Sequence, residues 1–172
     1  MRRLMVTLGT VAAATLAAFP GTAAAAPVST TFVVAGAETW FTSTSASFSG
    51  TGTGDQGDRA LWRTSITRTQ FNSVGQSTIT GGAFSMATIS PSWTTDQVAG
   101  TVDGGFVQKT SGFTGCTNET FSVLVSLRDV ATKSTAGGSG SFVGQLTHHR
   151  RSIFGACRTY FATINGVVSL SY

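Results

Sequence analysis

The chain has 172 residues, 11 basic and 7 acidic side chains, and a formal charge of +4. Charged residues make up 10% of it, against about 25% in an average globular chain, and glycine, serine and threonine take their place. So small a charge excludes the basic footprint of a nucleic-acid binder. The steady recurrence of Phe, Val, Ile and Leu excludes a disordered chain, and the length suits one domain with a real core.

The first segment predicts export. Arg2 and Arg3 precede an apolar run from Leu4 to Phe19, then small residues through Ala26 and Pro27. A basic head, an apolar stretch and an Ala-x-Ala site form a secretory signal peptide. Proline is poorly tolerated directly after the cut, so cleavage is expected after Ala25. The expected organisation is a signal peptide over 1–25 and a single secreted, extracellular β domain over 26–172. Without Arg2 and Arg3, nine basic and seven acidic residues remain, a charge of +2. The apolar run is shorter than the roughly 20 residues of a membrane span, so no stable membrane insertion is expected.

From there the pattern is period two, the mark of half-buried antiparallel strands. Val98, Gly100, Val102, Gly104 and Phe106 form one inner face, and Phe121, Val123, Val125 and Leu127 another. Phe142, Gly144, Leu146 and His148 share a third, and Tyr160, Ala162, Ile164, Gly166, Val168 and Leu170 a fourth. Turn signals fall at 50–57, 72–75, 90–92, 103–105 and 135–138. Asn165-Gly166 lies inside an unbroken alternation, so Gly166 is expected to be a bulge or kink, not a hairpin turn. The expected fold is all-β, a single antiparallel barrel or closed sandwich of about eight to ten strands. A small-residue-then-Phe phrase recurs at Phe48, Phe84 and Phe142, as expected where phenylalanines fill a tapering barrel.

Two cysteines in an exported chain, Cys116 and Cys157, predict one disulfide. The bridge would set Cys116, Asn118 and Glu119 near Cys157, Arg158 and Tyr160.

Polar chemistry gathers in two places. Thr147-His148-His149-Arg150-Arg151 holds both histidines of the chain. On a strand His148 and His149 point apart, so no metal site is expected. His148 is either an interior histidine bonded to a neighbouring strand or a polar group at the base or mouth of a cavity. Arg150 and Arg151 are a solvated strand end or an anion-binding rim. The second cluster holds Asp55, Asp58, Arg59, Trp62, Arg63 and Arg68. Arg68 shares a face with Trp62 and Ile66 and needs a partner if buried; Asp103 and Glu119 are the candidates, in a structural ion pair. Trp40, Phe41 and Trp93 are candidates for carbohydrate stacking, although core positions are the commoner fate of tryptophan.

No Gly-x-Ser-x-Gly elbow, phosphate loop or dinucleotide fingerprint is present, and no cofactor is expected. Carboxylate pairs for hydrolysis can be drawn from Asp55, Asp58, Asp96, Asp103, Glu119 and Asp129 without a preferred pair.

The phrase Gly-Ser-Gly-Ser-Phe-Val-Gly-Gln-Leu-Thr-His-His-Arg at 138–150, with 153–157 and 160–163, resembles small secreted proteins of actinomycete-type bacteria. The resemblance implies a β-barrel or sandwich and carries no catalytic residues. The glycine and phenylalanine texture also resembles allene oxide cyclase-like and lipocalin-like barrels.

The function expected from these residues is non-catalytic binding of a small apolar or amphipathic molecule, or of a cell-wall polysaccharide. His148, Arg68 and Trp62 would make interior contacts, with Arg150 and Arg151 at a rim. The alternatives are a barrel enzyme, an isomerase, cyclase or hydrolase with His148 beside Glu119 or Asp103, and an interaction protein such as a protease inhibitor.

Overall fold

The computed structural model describes residues 27–89 and 95–172; the expected signal segment, the 90–92 turn and Trp93 lie outside them. The strands are β1 (Ser29–Phe41), β2 (Ser45–Gly54), β3 (Arg59–Arg68), β4 (Gln76–Ile89), β5 (Thr95–Ser111), β6 (Glu119–Ala131), β7 (Gly138–Ile153) and β8 (Ala156–Ser171). Each pairs antiparallel with the next, and β8 returns to β1, closing one eight-stranded barrel. The bridge Cys116–Cys157 is formed, with Cα atoms 5.5 Å apart.

The alternation decides which face goes in. Phe121, Val123, Val125 and Leu127 are buried, as are Ala162, Ile164, Val168 and Leu170. Phe48, Phe84 and Phe142 of the recurring phrase all point inward. An eight-stranded barrel is just wide enough for side chains to fill it, and here they do. Among the described residues, the interior space between Phe48, Phe84, Phe142, Trp62 and their neighbours is about 30 Å³, far below the roughly 300 Å³ at which small-molecule sites begin. The barrel is a packed core, not a chamber. Its outer face is rich in Ser and Thr, the reverse of a lipid-spanning barrel, which is apolar outside and polar within.

Glycines make room for the largest side chain. Gly36 pairs with Gly50, and Gly50 with Trp62. A Cβ on Gly50 would strike the Ala35 carbonyl, and one on Gly36 would strike Ser49 and the Trp62 ring. With both absent the indole lies against bare backbone. Its Nε1 donates to the carbonyls of Thr51 at 3.1 Å and Ala35 at 3.3 Å.

Three local expectations change. Asp103-Gly104-Gly105 is not a turn but an irregularity inside β5, with the register slipping between Val102 and Gly104 and Gly105 at φ 137°. The slip inverts the alternation, so Phe106 is exposed and Val107 is buried. Gly166 is neither bulge nor kink, since its pairing with Val34 and Gly144 is continuous. It is small because the Phe142 ring occupies the place of its Cβ. In the 50–57 signal only the end turns, with Gly57 at φ 85°, while Gly50 stays in β2.

Candidate functional site at the barrel mouth

One end of the barrel carries the β1–β2, β3–β4, β5–β6 and β7–β8 connections, and the polar chemistry collects there. Two features shape this mouth. The pairing of β6 with β7 ends at Glu119–His148, and that of β1 with β8 ends at Ala37–Thr163. Residues 149–153 and 156–162 therefore continue beyond the wall as a two-stranded arm. Five residues of strand carry its tip about 15 Å past the rim at roughly 3.3 Å per residue. The arm is tied back by the disulfide and by the Arg150 amide, which donates to Asn118 Oδ1 at 3.1 Å. Where β1 and β8 diverge, a slot of about 270 Å³ opens between Glu38–Phe41 and Thr159–Ala162.

The floor of the mouth is a charge network. Glu38 continues the inward face of Phe32, Val34 and Gly36, next to a β1 register slip between Glu38 and Trp40. Its side chain is 4% exposed, and its Oε2 lies 3.1 Å from His148 Nε2. That contact is close enough for an ion pair, but neither atom is aligned for a hydrogen bond. Both atoms are sealed from solvent, so His148 offers the mouth its Nδ1 edge, 3.9 Å from Glu119 Oε2. Glu119 Oε1 accepts from Lys109 at 2.5 Å and from Arg150 at 2.8 Å. Phe41 and Phe121 flank the imidazole, with ring centroids at 5.8 and 5.1 Å.

Above this floor lies an open cleft of about 550 Å³ walled by Phe41, Phe71, Phe113 and Phe121, with Arg68, Lys109, Glu119 and His148 among its lining. Arg68 differs from the other cations. Its guanidinium donates to the Thr42 and Thr69 carbonyls at 3.3 and 3.2 Å and covers the Phe71 ring at 4.5 Å. No carboxylate among the described residues lies within ion-pair distance of it. Burial holds its pKa below the ordinary arginine value, opposed by the attraction of Glu38.

The structure thus brings together His148, Arg68 and Arg150 of the predicted residues and leaves the others apart. Trp62 is sealed in the core, spent on backbone carbonyls. Arg151 is on the arm, over the Tyr160 ring at 5.1 Å. The expected second cluster is split, because Asp55, Asp58 and Arg59 sit at the opposite end of β3 from Arg68. Asp103 pairs with Arg128 at 3.0 Å on the outer surface, and Glu119 is taken by Lys109 and Arg150. The acid that acts on Arg68 is therefore neither candidate but Glu38, a residue the sequence reading passed over. Its inward position was available in the Phe32-Val34-Gly36-Glu38 alternation. Asn118 and Glu119 meet β7 at Arg150 and His148 more directly than they meet Cys157. His149 points away from His148, as the strand geometry requires, and stacks on Phe161 at 4.1 Å. Tyr160 does not share the buried face of β8; it is exposed, because it lies on the arm.

Aromatic exposure is as lopsided as the charge. Trp40, Phe41, Phe71, Phe113, Phe154, Tyr160 and Phe161 are exposed at this end, and Phe106 is the other exposed aromatic among the described residues. Trp40 and Phe41 are thus surface residues, and Trp40 departs from the core position that is commoner for tryptophan. Arg68, Lys109, Arg150, Arg151 and Arg158 face only Glu38 and Glu119 here, a local formal charge of 5 − 2 = +3. Every aspartate of the chain lies elsewhere, on or beside β2, β5 and β6. No group of His, Cys, Asp and Glu side chains among the described residues is arranged to hold a metal ion. No family model, curated protein or solved structure matches the chain.

Proposed function

We propose that this is a secreted binding protein that takes a small anionic amphiphile at the barrel mouth, not in its interior. The carrying observation is Arg68, a half-buried cation with no carboxylate bonded to it, set in a phenylalanine-walled cleft. Burying a charge without a partner is costly, and a ligand carboxylate or sulfate would complete it with charge-assisted hydrogen bonds. Lys109 and Arg150 both bond to the Glu119 carboxylate and keep one positive charge between them, so each attracts an anion less than Arg68 does. The cleft volume of about 550 Å³ falls within the roughly 300–1,000 Å³ of small-molecule sites, and its phenylalanines suit an alkyl or aromatic body.

Calorimetric titration with dodecanoate and with the neutral dodecanol tests this reading. Dodecanoate should bind more tightly, and Arg68→Gln should erase the difference, a loss of about tenfold or more for a hydrogen-bonded charge. Equal affinity for the two probes, or an unchanged Arg68→Gln, refutes it.

One observation favours a second reading, acid–base catalysis in the same cleft: His148 stands between Glu38 and Glu119, with its Nδ1 edge toward the opening. That arrangement can hold and pass a proton. Recovery of the bound molecule chemically altered by the wild type, and intact from His148→Gln, would favour the enzyme.

A further inference from the structure

The β7–β8 arm carries three features that the cleft does not use. Phe154 at its tip is 103% exposed. It sits at φ 51°, followed by Gly155 at φ 76°. A two-residue hairpin with both central residues left-handed is built for Asn-Gly or Gly-Gly, and a bulky residue there is a backbone outlier. The chain thus holds a large apolar ring at its most projecting point in a conformation that disfavours it. Next, Arg151 and Arg158 are direct cross-strand partners, and like charges so placed repel. Finally, residues 149–162 contain three arginines and no acid, with only Arg150 paired to a carboxylate, Glu119.

We propose that this arm docks the protein onto an anionic lipid bilayer. Phe154 enters the boundary between headgroups and acyl chains, while Arg151 and Arg158 lie among the headgroups. A bilayer supplies what each anomaly lacks. The fluid apolar phase accepts a single protruding ring without the concave pocket that a protein partner would need. The anionic headgroups separate two facing arginines that no carboxylate among the described residues pairs with. Tyr160 beside them is a residue type that settles at the membrane–water interface. This is attachment to a surface, since the barrel's own polar exterior stays in water. The inference does not depend on the amphiphile reading of the cleft.

Co-sedimentation with phosphatidylcholine vesicles, with and without phosphatidylglycerol, tests the proposal. The protein should pellet with the anionic vesicles, remain in the supernatant with the neutral ones, and release as salt is raised. Losing Arg151 or Arg158 to Gln should weaken binding roughly fivefold each. Phe154→Asn should weaken it about tenfold or more. Asn suits the turn better than Phe, so loss by this variant cannot come from misfolding. Phe154→Asn should leave the dodecanoate titration unchanged, which separates failure here from failure of the cleft reading. The proposal is overturned if the wild type stays in the supernatant with anionic vesicles, or if Phe154→Asn pellets as well as wild type. It is also overturned if the arm instead pairs two copies in solution, shown by a dimer that Phe154→Asn abolishes.

Discussion

Cutting the disulfide should free the arm before it opens the barrel. The bond closes a loop spanning 41 positions, and the chain-entropy relation assigns such a loop about 4 kcal/mol of stabilisation. For a domain of this size that corresponds to a fall in Tm of roughly 10–15 °C. Its local effect is sharper. The enclosed segment contains β6 and β7, whose barrel portions keep both neighbours when the bond is cut. The arm keeps only its own two strands, and an isolated hairpin is marginal in water. The Arg150 bonds to Asn118 and Glu119 hold its base but nothing nearer the tip. In the doubly substituted Cys116→Ser, Cys157→Ser protein, hydrogen exchange should quicken at residues 151–153 and 156–158 by roughly a hundredfold. Val123, Val125, Leu146 and Ile164 should stay protected under native conditions, as expected of a separate cooperative unit. If arm and barrel amides lose protection together, or if the arm keeps its protection without the bond, the assignment of the disulfide to the arm is wrong.

Two further substitutions probe the mouth and the core. Glu38→Ala removes the acid buried against His148 and nearest in effect to Arg68, and should cost about 3 kcal/mol in denaturant unfolding. Glu38→Gln, which keeps size and polarity, should cost less, and a Glu38→Ala as mild as Asp58→Ala at the opposite end would contradict the role given to this carboxylate. Gly50→Ala would press a methyl group into the Ala35 carbonyl and displace the indole from its two acceptors; a loss of about 3 kcal/mol is expected, with blue-shifted or quenched Trp62 fluorescence as a second sign. An unchanged denaturation midpoint would mean that β1 and β2 can separate there at no cost.

The barrel was legible because one force acts on every strand in the same way. From Phe121 to Leu127 burial follows the alternation at every second residue. The alternation failed where the backbone slipped. At Gly104-Gly105 two glycines read as a turn, yet a long strand absorbed them as an irregularity and turned Phe106 outward. It failed again at Tyr160, since local periodicity carries no information about where a neighbouring strand ends. The disulfide matches what two cysteines together with an expected export signal imply. The mouth was half legible: His148 was singled out from its face, but its partner Glu38 lies more than a hundred positions away in sequence, and only barrel closure brings β1 beside the last strands. The face of Arg68 marks it as a charge in need of an acid, but a face does not say which acids are already taken: Asp103 pairs with Arg128 on the outer surface, and Glu119, in the same cleft, is held by Lys109 and Arg150.

Closing a sheet on itself removes the strand edges along which proteins stick to one another. Among the described residues such edges survive where the arm leaves the wall and at the facing end of β1, and at the start of β5, which pairs with β4 before its β6 pairing begins at Ala99. An open edge is a template for pairing with another molecule, and natural sheets guard it with charge and irregular register. The arm has both: Arg150, Arg151 and Arg158 along its length, and a slip between His149 and Arg150. Threonines in place of those arginines would keep the strand propensity and lose the guard, turning the arm into a seed for strand-to-strand aggregation. The positive charge that gives the mouth its character therefore also keeps crowded copies of the protein apart.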